Sequence, residues 1–292
     1  MLIIAANRLP VSIQRRGRSV ELTPSTGGLT SALKAFHDKE TMRWLGWPGH
    51  VRSEYREVVA QRLRKEFGCV PVFLPQSTAR GYCAGFSNGT LWPLLHSFPA
   101  YSHLSSSEWQ AYVRANAMFG EQIVKMIGPG DTVWVHDYHL MLLPEYIRAR
   151  VPDAKIGFFL HTPFPNYETF CLIPSSRDLV SGMLGADLIG FHTYDYALSF
   201  LGCVRHILGL DNRIGNIITG RRGVKVDVFP LGIDFDMQSG LTDNLNVRKK
   251  MAKLRMQTNG LKIIFSYRVW ITQKVFRISP KPSKRSLKCI LS

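Results

Sequence analysis

The sequence predicts an α/β fold, a Rossmann-like parallel sheet with helices on both faces. Three observations carry this. Short apolar runs without polar alternation recur from Leu2 to Phe229, as strands covered on both faces require. Segments with helical spacing of apolar residues separate them. Two runs end abruptly in polar, titratable residues, at His136-Asp137-Tyr138-His139 and at His161. The carboxyl edge of an open parallel sheet is where ligands bind.

Taken in order, Leu2 to Ala6 reads as the first strand, and Pro10 stops it. A polar turn follows. After Thr26-Gly27-Gly28, the residues Leu29, Ala32, Leu33 and Phe36 fall at helical spacing. Strand, glycine turn, helix suits a phosphate, because free N–H groups at a helix start attract anions. Gly27-Gly28 also fits a simple tight turn. Met42 to Trp47 and Cys69 to Leu74 read as strands flanking a helix over Ser53 to Phe67. Tyr82 to Pro93, rich in aromatics and glycine, has no clear period and reads as a loop. Rings beside Asn and Ser suit a sugar, whereas Phe86 reads as core.

Ser105 and Glu108 form a capping box that opens a helix carrying Trp109, Tyr112, Phe119 and Ile123. Gly128-Pro129-Gly130-Asp131 ends it. The strand Thr132 to His136, a helix within Leu142 to Val151 and the strand Ile156 to His161 follow. Asp187 to Phe191 is a strand, then a helix through Leu208, then a strand from Val224 to Phe229. Asp243 to Thr258 predicts a helix and Leu261 to Ser266 a strand.

The totals bound the function. A chain of 292 residues, 45% hydrophobic, suits one large domain or two smaller ones. No apolar run reaches the roughly 18 residues of a membrane span, and the start lacks a basic leader region, so a cytoplasmic protein is expected. The five cysteines show no C-x-x-C spacing, which fits reduced thiols. The net charge of +16 is concentrated at the end: 13 Lys/Arg and no acid follow Asn246. The remainder is close to neutral, which argues against nucleic acid, while the basic tail keeps polyanion binding as an alternative.

His136, Asp137, Tyr138, His139 and His161 are the residues able to carry chemistry. Three histidines and an aspartate are possible metal ligands, but no H-x-x-x-H pair is present, and His136 and Asp137, adjacent on a strand, should face opposite sides. No metal is expected. Asp137 suits a proton or hydrogen bond from a sugar hydroxyl. His161 suits a hydroxyl or a developing anion, or a place in the core. His136 reads as a core group, and Arg8 suits a phosphate.

Seven motifs occur in order: Asn7-Arg8-Leu9-Pro10, Thr26-Gly27-Gly28-Leu29, Leu45-Gly46-Trp47, Phe86-Ser87-Asn88 with Leu91-Trp92-Pro93, His136-Asp137-Tyr138-His139-Leu140, Gly157 to Pro165, and Gly190-Phe191-His192-Thr193. Together they resemble the amino-terminal half of the trehalose-6-phosphate synthase family, over residues 1 to about 266. That family joins glucose from UDP-glucose to glucose 6-phosphate with retention at the anomeric carbon. It uses two Rossmann-like domains in the GT-B arrangement and no metal or other cofactor, UDP-glucose being a substrate. The resemblance implies that Arg8 and Tyr82 hold the acceptor phosphate. Trp47, Trp92, Asp137 and Tyr138 would line the acceptor glucose. Gly28 would approach the donor diphosphate and His161 the donor sugar, with Asp137 and His161 nearest the chemistry. The leaving phosphate of such an enzyme is thought to take the acceptor proton.

The resemblance also implies a domain plan. Residues 1–234 form the acceptor-side domain, 235–266 a linker and the start of the donor-side domain, and 267–292 a divergent basic tail. The family continues into Arg-Leu-Asp-Tyr-x-Lys-Gly. Here Arg268 and Lys274 stand six apart without Asp-Tyr between them, which suggests a shifted reading frame or altered splicing. The expectation is a chain of weak or no transferase activity alone. The alternatives are a non-catalytic module that binds sugar phosphate and a polyanion-binding tail. An uncovered cleft face favours pairing into a homo-oligomer.

Overall fold

The computed structural model describes residues 1–16, 19–25, 41–220, 222–233 and 235–258. The expected helix over Leu29 to Phe36, the strand Leu261 to Ser266 and the basic tail lie outside the described residues. Two compact units are present, Met1–Gly232 and a second beginning at Ile233.

Among the described residues, the first unit is built on a nine-stranded sheet. Its strands are β1 (Leu2–Arg8), β4 (Met42–Trp47), β5 (Cys69–Pro71), β6 (Thr132–His136), β7 (Lys155–Phe159), β8 (Leu188–Phe191), β9 (Asn212–Arg213), β10 (Asn216–Thr219) and β11 (Arg222–Val228), in the order β5-β4-β1-β6-β7-β8-β11-β10-β9. Seven strands run parallel; β10 and β9 pair antiparallel at one edge. The expected third strand is shorter than predicted, ending at Pro71, although Val72 N–H still donates to Gly46 O at 2.9 Å. Val11–Arg16 (β2) and Ser19–Pro24 (β3) form a separate antiparallel pair where a plain turn was expected.

Side-chain alternation along β1 divides the core in two. Ile3 and Ala5 join Val133 and Val135 on one face, while Ile4 and Ala6 join Trp44 on the other. The helix α1 (Arg56–Phe67) packs Val59 and Leu63 on the second face, and Gly68, left-handed at φ 63°, ends it. The first face carries α3 (Ser106–Val124), α4 (Leu143–Arg148), α6 (Ser176–Met183) and α7 (Tyr194–Cys203). A one-turn helix, α5 (Tyr167–Phe170), lies between α4 and α6 in the chain. Glu108 N–H donates to Ser105 Oγ at 3.4 Å, so half of the capping box forms. The Glu108 carboxylate contacts His103 instead, at 2.8 Å.

The segment from Tyr82 to Pro93 is not a loop. Residues 76–95 form one helical run, α2, made of Gln76–Ala79, a π-helical stretch Arg80–Leu91 and Trp92–Leu95. Gly81, Gly85 and Gly89 recur every fourth residue, and a Cβ at each would strike Ala111, Glu108 and His103 respectively. The glycines therefore let α2 lie close against the start of α3. Tyr82 and Phe86 turn inward with them and are buried; Phe86 is a core residue, as its sequence context predicted.

In the second unit, α8 (Phe235–Gly240) and α9 (Leu245–Thr258) follow one another. Arg248 donates to Asp243 Oδ1 at 2.7 Å and to Thr242 O at 2.9 Å, tying the start of α9 to the preceding turn.

Candidate active site

The site is assembled at the carboxyl ends of β4, β1, β6 and β7. Register brings its residues together. Arg8 pairs with Trp47 across β1 and β4, and Ala5 pairs with Val135 across β1 and β6. Arg8 and Tyr138 each stand three residues beyond that last rung, on neighbouring chain segments.

The Arg8 guanidinium lies 4.0 Å from the centroid of the Trp47 ring. Trp44 Nε1–H donates to Arg8 O at 3.1 Å and fixes the backbone beneath it. Gly46 permits this approach, since a Cβ there would sit 2.8 Å from Arg8 C and Leu9 N. Arg8 is also close enough to Tyr82 and His139 for its charge to act on both. Burial holds the Tyr82 phenol well above its ordinary range, with neighbouring Tyr112 adding to the effect and Arg8 opposing it. Tyr82 Oη and Asn7 Oδ1 are buried without a hydrogen-bond partner among the described residues. Unpaired buried polar groups are few in folded proteins and mark functional positions.

Asp137 is a backbone outlier at φ 73°, ψ 169°. Asp tolerates positive φ better than most residues, but the conformation still costs energy and recurs at functional sites. Its N–H donates to Phe159 O at 2.8 Å, and its Oδ1 accepts from His161 N–H at 3.3 Å. Desolvation pushes the carboxyl up to about 6, although backbone N–H groups of Tyr138 and His161 oppose this. His136 and Asp137 divide between the faces as expected: His136 lies against Trp134 on one side, and the Asp137 carboxyl is close enough to Tyr112 on the other to act on it. Both reach His161, one through its ring and the other through its backbone.

Tyr138 Oη donates to Asn88 Oδ1 at 2.9 Å, linking the π-helical stretch to the strand end. Beneath it, Tyr112 Oη donates to Tyr138 O at 2.7 Å and accepts from Met141 N–H at 3.0 Å. Asn116 donates to His139 O at 3.1 Å. Sequence reasoning does not single out Tyr112 and Asn116 for this support. Their helical spacing marks a buried face but not a hydrogen-bonding role.

His161 lies just past the end of β7, not within it; Leu160 N–H still donates to Gly190 O at 3.0 Å. His136 Nδ1 stands 3.0 Å from His161 Nε2, and the rings meet edge to edge with their planes 29° apart and their centroids 5.3 Å apart. Phe159 and His192 flank the His161 ring, their centroids 4.7 and 5.7 Å away. Burial lowers His136 to about 3, with repulsion from His161 adding to it, and lowers His161 to about 4, with His192 adding. Both rings are therefore neutral at pH 7. His136, 1% exposed, is the buried group its position suggested. Beside this pair, Trp134, Gly157, Phe159, Gly190 and Phe229 line an apolar cavity of about 350 Å³.

The expected site residues are thus distributed unevenly. Arg8, Trp47, Tyr82, Asp137, Tyr138 and His161 occupy adjoining strand ends and the π-helical stretch beside them. Trp92 is buried in the core and stacks on His96 at 4.1 Å. Gly28 lies outside the described residues. Among the described residues, no group of three or more His, Cys, Asp or Glu is arranged to hold a metal ion, and no helix is long and apolar enough to cross a membrane.

Comparison with known proteins agrees with this architecture. Alpha,alpha-trehalose-phosphate synthase (UDP-forming) 2 of Aspergillus niger is 42% identical over 272 residues, covering 91% of this chain and 57% of the relative. The N-terminal domain of Candida albicans trehalose-6-phosphate phosphatase superposes with a TM-score of 0.76 at 29% identity, covering 89% of this chain and 55% of that one. The synthase of Burkholderia xenovorans in complex with glucose-6-phosphate gives 0.68 at 26% identity, covering 87% and 55%. The chain spans about half the length of the curated relatives it matches. The fold is that of the amino-terminal GT-B domain of these synthases. The matching family is described as Glycosyltransferase family 20 and covers residues 1–269, so the chain belongs to glycosyltransferase family 20.

Proposed function

We propose that this chain carries the acceptor side of a UDP-forming trehalose-phosphate synthase, which transfers glucose from UDP-glucose to glucose 6-phosphate. The observation that carries the proposal is the Arg8–Trp47 contact beside Tyr82 and Tyr138. The fixed cation suits the 6-phosphate, with the fully buried Tyr82 phenol behind it. The Trp47 face and the Tyr138–Asn88 pair suit a sugar, apolar on its faces and polar at its rim.

In this reading Asp137 orients the acceptor hydroxyl. Two backbone N–H groups hold its carboxylate side, so it arrives without reorganisation. His161 contacts the donor sugar on the β7 side, and Gly28 approaches the donor diphosphate. Trp92, seated in the core, supports the acceptor wall through packing. The same relationship supports a cytosolic location, and the chemistry proposed requires neither metal nor cofactor.

Calorimetric titration with glucose 6-phosphate and with glucose tests the proposal. The expected result is tighter binding of glucose 6-phosphate, with the difference abolished in Arg8→Ala. Equal affinity for the two sugars in the unaltered chain would overturn it.

A further inference from the structure

We propose that His136 is a positioning residue that fixes the tautomer of His161, so that His161 presents a protonated Nδ1 to its ligand. The proposal rests on the reading of the site as a sugar-binding cleft. His136 itself, 1% exposed, reaches no ligand and acts through its neighbour.

A count of protons sets the direction of the contact. His136 Nδ1 and His161 Nε2 lie 3.0 Å apart, a hydrogen bond that needs one proton between two neutral rings. Either nitrogen could supply it. The other end of His136 decides. Its Nε2 is buried and has no hydrogen-bond partner among the described residues. If His161 were the donor, His136 would carry its own proton on Nε2, leaving a buried N–H with no acceptor. If His136 donates from Nδ1, Nε2 keeps only an unfilled lone pair. Orphaned buried donors are the rarer defect in folded proteins. His136 is therefore the Nδ1–H tautomer, and His161 accepts at Nε2.

This leaves the proton of His161 on Nδ1, which has no partner among the described residues. The ring has little freedom to exchange its two nitrogens. His136 meets its edge with the ring planes 29° apart, Phe159 lies 4.7 Å away by centroid, and Asp137 Oδ1 holds its backbone N–H at 3.3 Å. His136 is in turn pressed by the Trp134 ring, 4.5 Å away. The titratable groups facing the His161 ring are His136 and His192, while the Asp137 carboxyl meets its backbone N–H. A neutral ring that donates, and does not accept, selects an oxygen with a free lone pair at that point, such as a sugar hydroxyl oxygen. It would reject a group able only to donate.

The test is nitrogen NMR of the labelled chain without ligand, where protonated and bare imidazole nitrogens give separate signals. Expected is a protonated Nδ1 and a bare Nε2 in both His136 and His161. The variant His136→Asn keeps an amide N–H near the position of Nδ1 and should preserve the His161 pattern. His136→Leu removes the donor, and His161 should lose the single pattern and populate its Nε2–H form. A protonated Nε2 on His161 in the unaltered chain would overturn the proposal, even if a variant fails to fold. So would an unchanged pattern in a folded His136→Leu chain. The measurement uses no sugar, so its outcome is independent of whether glucose 6-phosphate binds.

Discussion

The Arg8 guanidinium stacks on Trp47 at 4.0 Å, although the two residues belong to different strands and are 39 positions apart. Strand pairing, not sequence proximity, makes this contact. A stacked guanidinium is held in plane with its N–H fork directed to one side, which lysine cannot reproduce.

Arg8→Ala is expected to weaken glucose 6-phosphate binding by about 10- to 100-fold, the equivalent of one charge-assisted hydrogen-bond set of roughly 1.5–3 kcal/mol. Arg8→Lys should recover only part of this. Affinity for glucose should change little in either variant. Calorimetry with both sugars separates a phosphate contact from a general loss of the site.

Asp137 makes stability fall as pH rises. Its carboxyl ionises near 3.8 when unfolded and near 6 when folded. Between those values the folded chain holds a proton that the unfolded chain has released, so increasing pH favours unfolding. The effect is roughly 3 kcal/mol in total and is complete above the folded value. Asp137→Asn removes the titration and tolerates positive φ. Urea unfolding at about pH 4.5 and about pH 7.5 should show the variant gaining on the unaltered chain at the higher pH. A constant gap would contradict the assignment.

The histidines act in the opposite direction. His136 and His139 are lowered to about 3 and His161 to about 4, from 6.5. Depressed values mean that their stabilising contribution is complete above 6.5 and is lost as pH falls below it. Near pH 5 the unfolded chain binds three more protons at these rings, while the folded chain retains one at Asp137. Unfolding should take up about two protons at these four groups, a slope of roughly 3 kcal/mol per pH unit. Chemical denaturation across that range measures it directly.

The strand ends were legible in the sequence because an apolar run that stops at titratable residues seldom arises except where a buried strand meets a site. Arg8, Asp137 and His161 are singled out this way. The π-helical stretch was not, because Gly81, Gly85 and Gly89 read locally as loop formers. Their four-residue spacing becomes meaningful only when a second helix is known to lie against it. The β2–β3 pair is harder to read, although Val11, Ile13, Val20 and Leu22 alternate with polar neighbours, because each run is short. The backbone of Asp137 could not be read either, since positive φ has no signature in an aspartate. The His136–His161 contact depends on two strands meeting in register, a relationship absent from either segment alone.

Gly46→Ala should uncouple the Arg8–Trp47 pair. The added methyl would lie 2.8 Å from main-chain atoms of Arg8 and Leu9, which cannot rotate away as a side chain would. Strain of this kind in a packed interior costs about 1–3 kcal/mol. A lower urea midpoint is expected, together with weaker glucose 6-phosphate binding in the fraction that remains folded. Normal affinity in a destabilised chain would show that Trp47 is not required beside Arg8.

The strand order has a further consequence, for behaviour at high concentration. A sheet of nine strands has two borders, and each could template another chain through its unpaired backbone groups. One border is β5, three residues long and ending in Pro71, which has no N–H to offer. The other is β9, only Asn212–Arg213. Neither is long enough to seed lateral growth. Lateral growth on this sheet is therefore disfavoured, and among the described residues the longer strand edges belong to the separate β2–β3 pair, six residues to a strand.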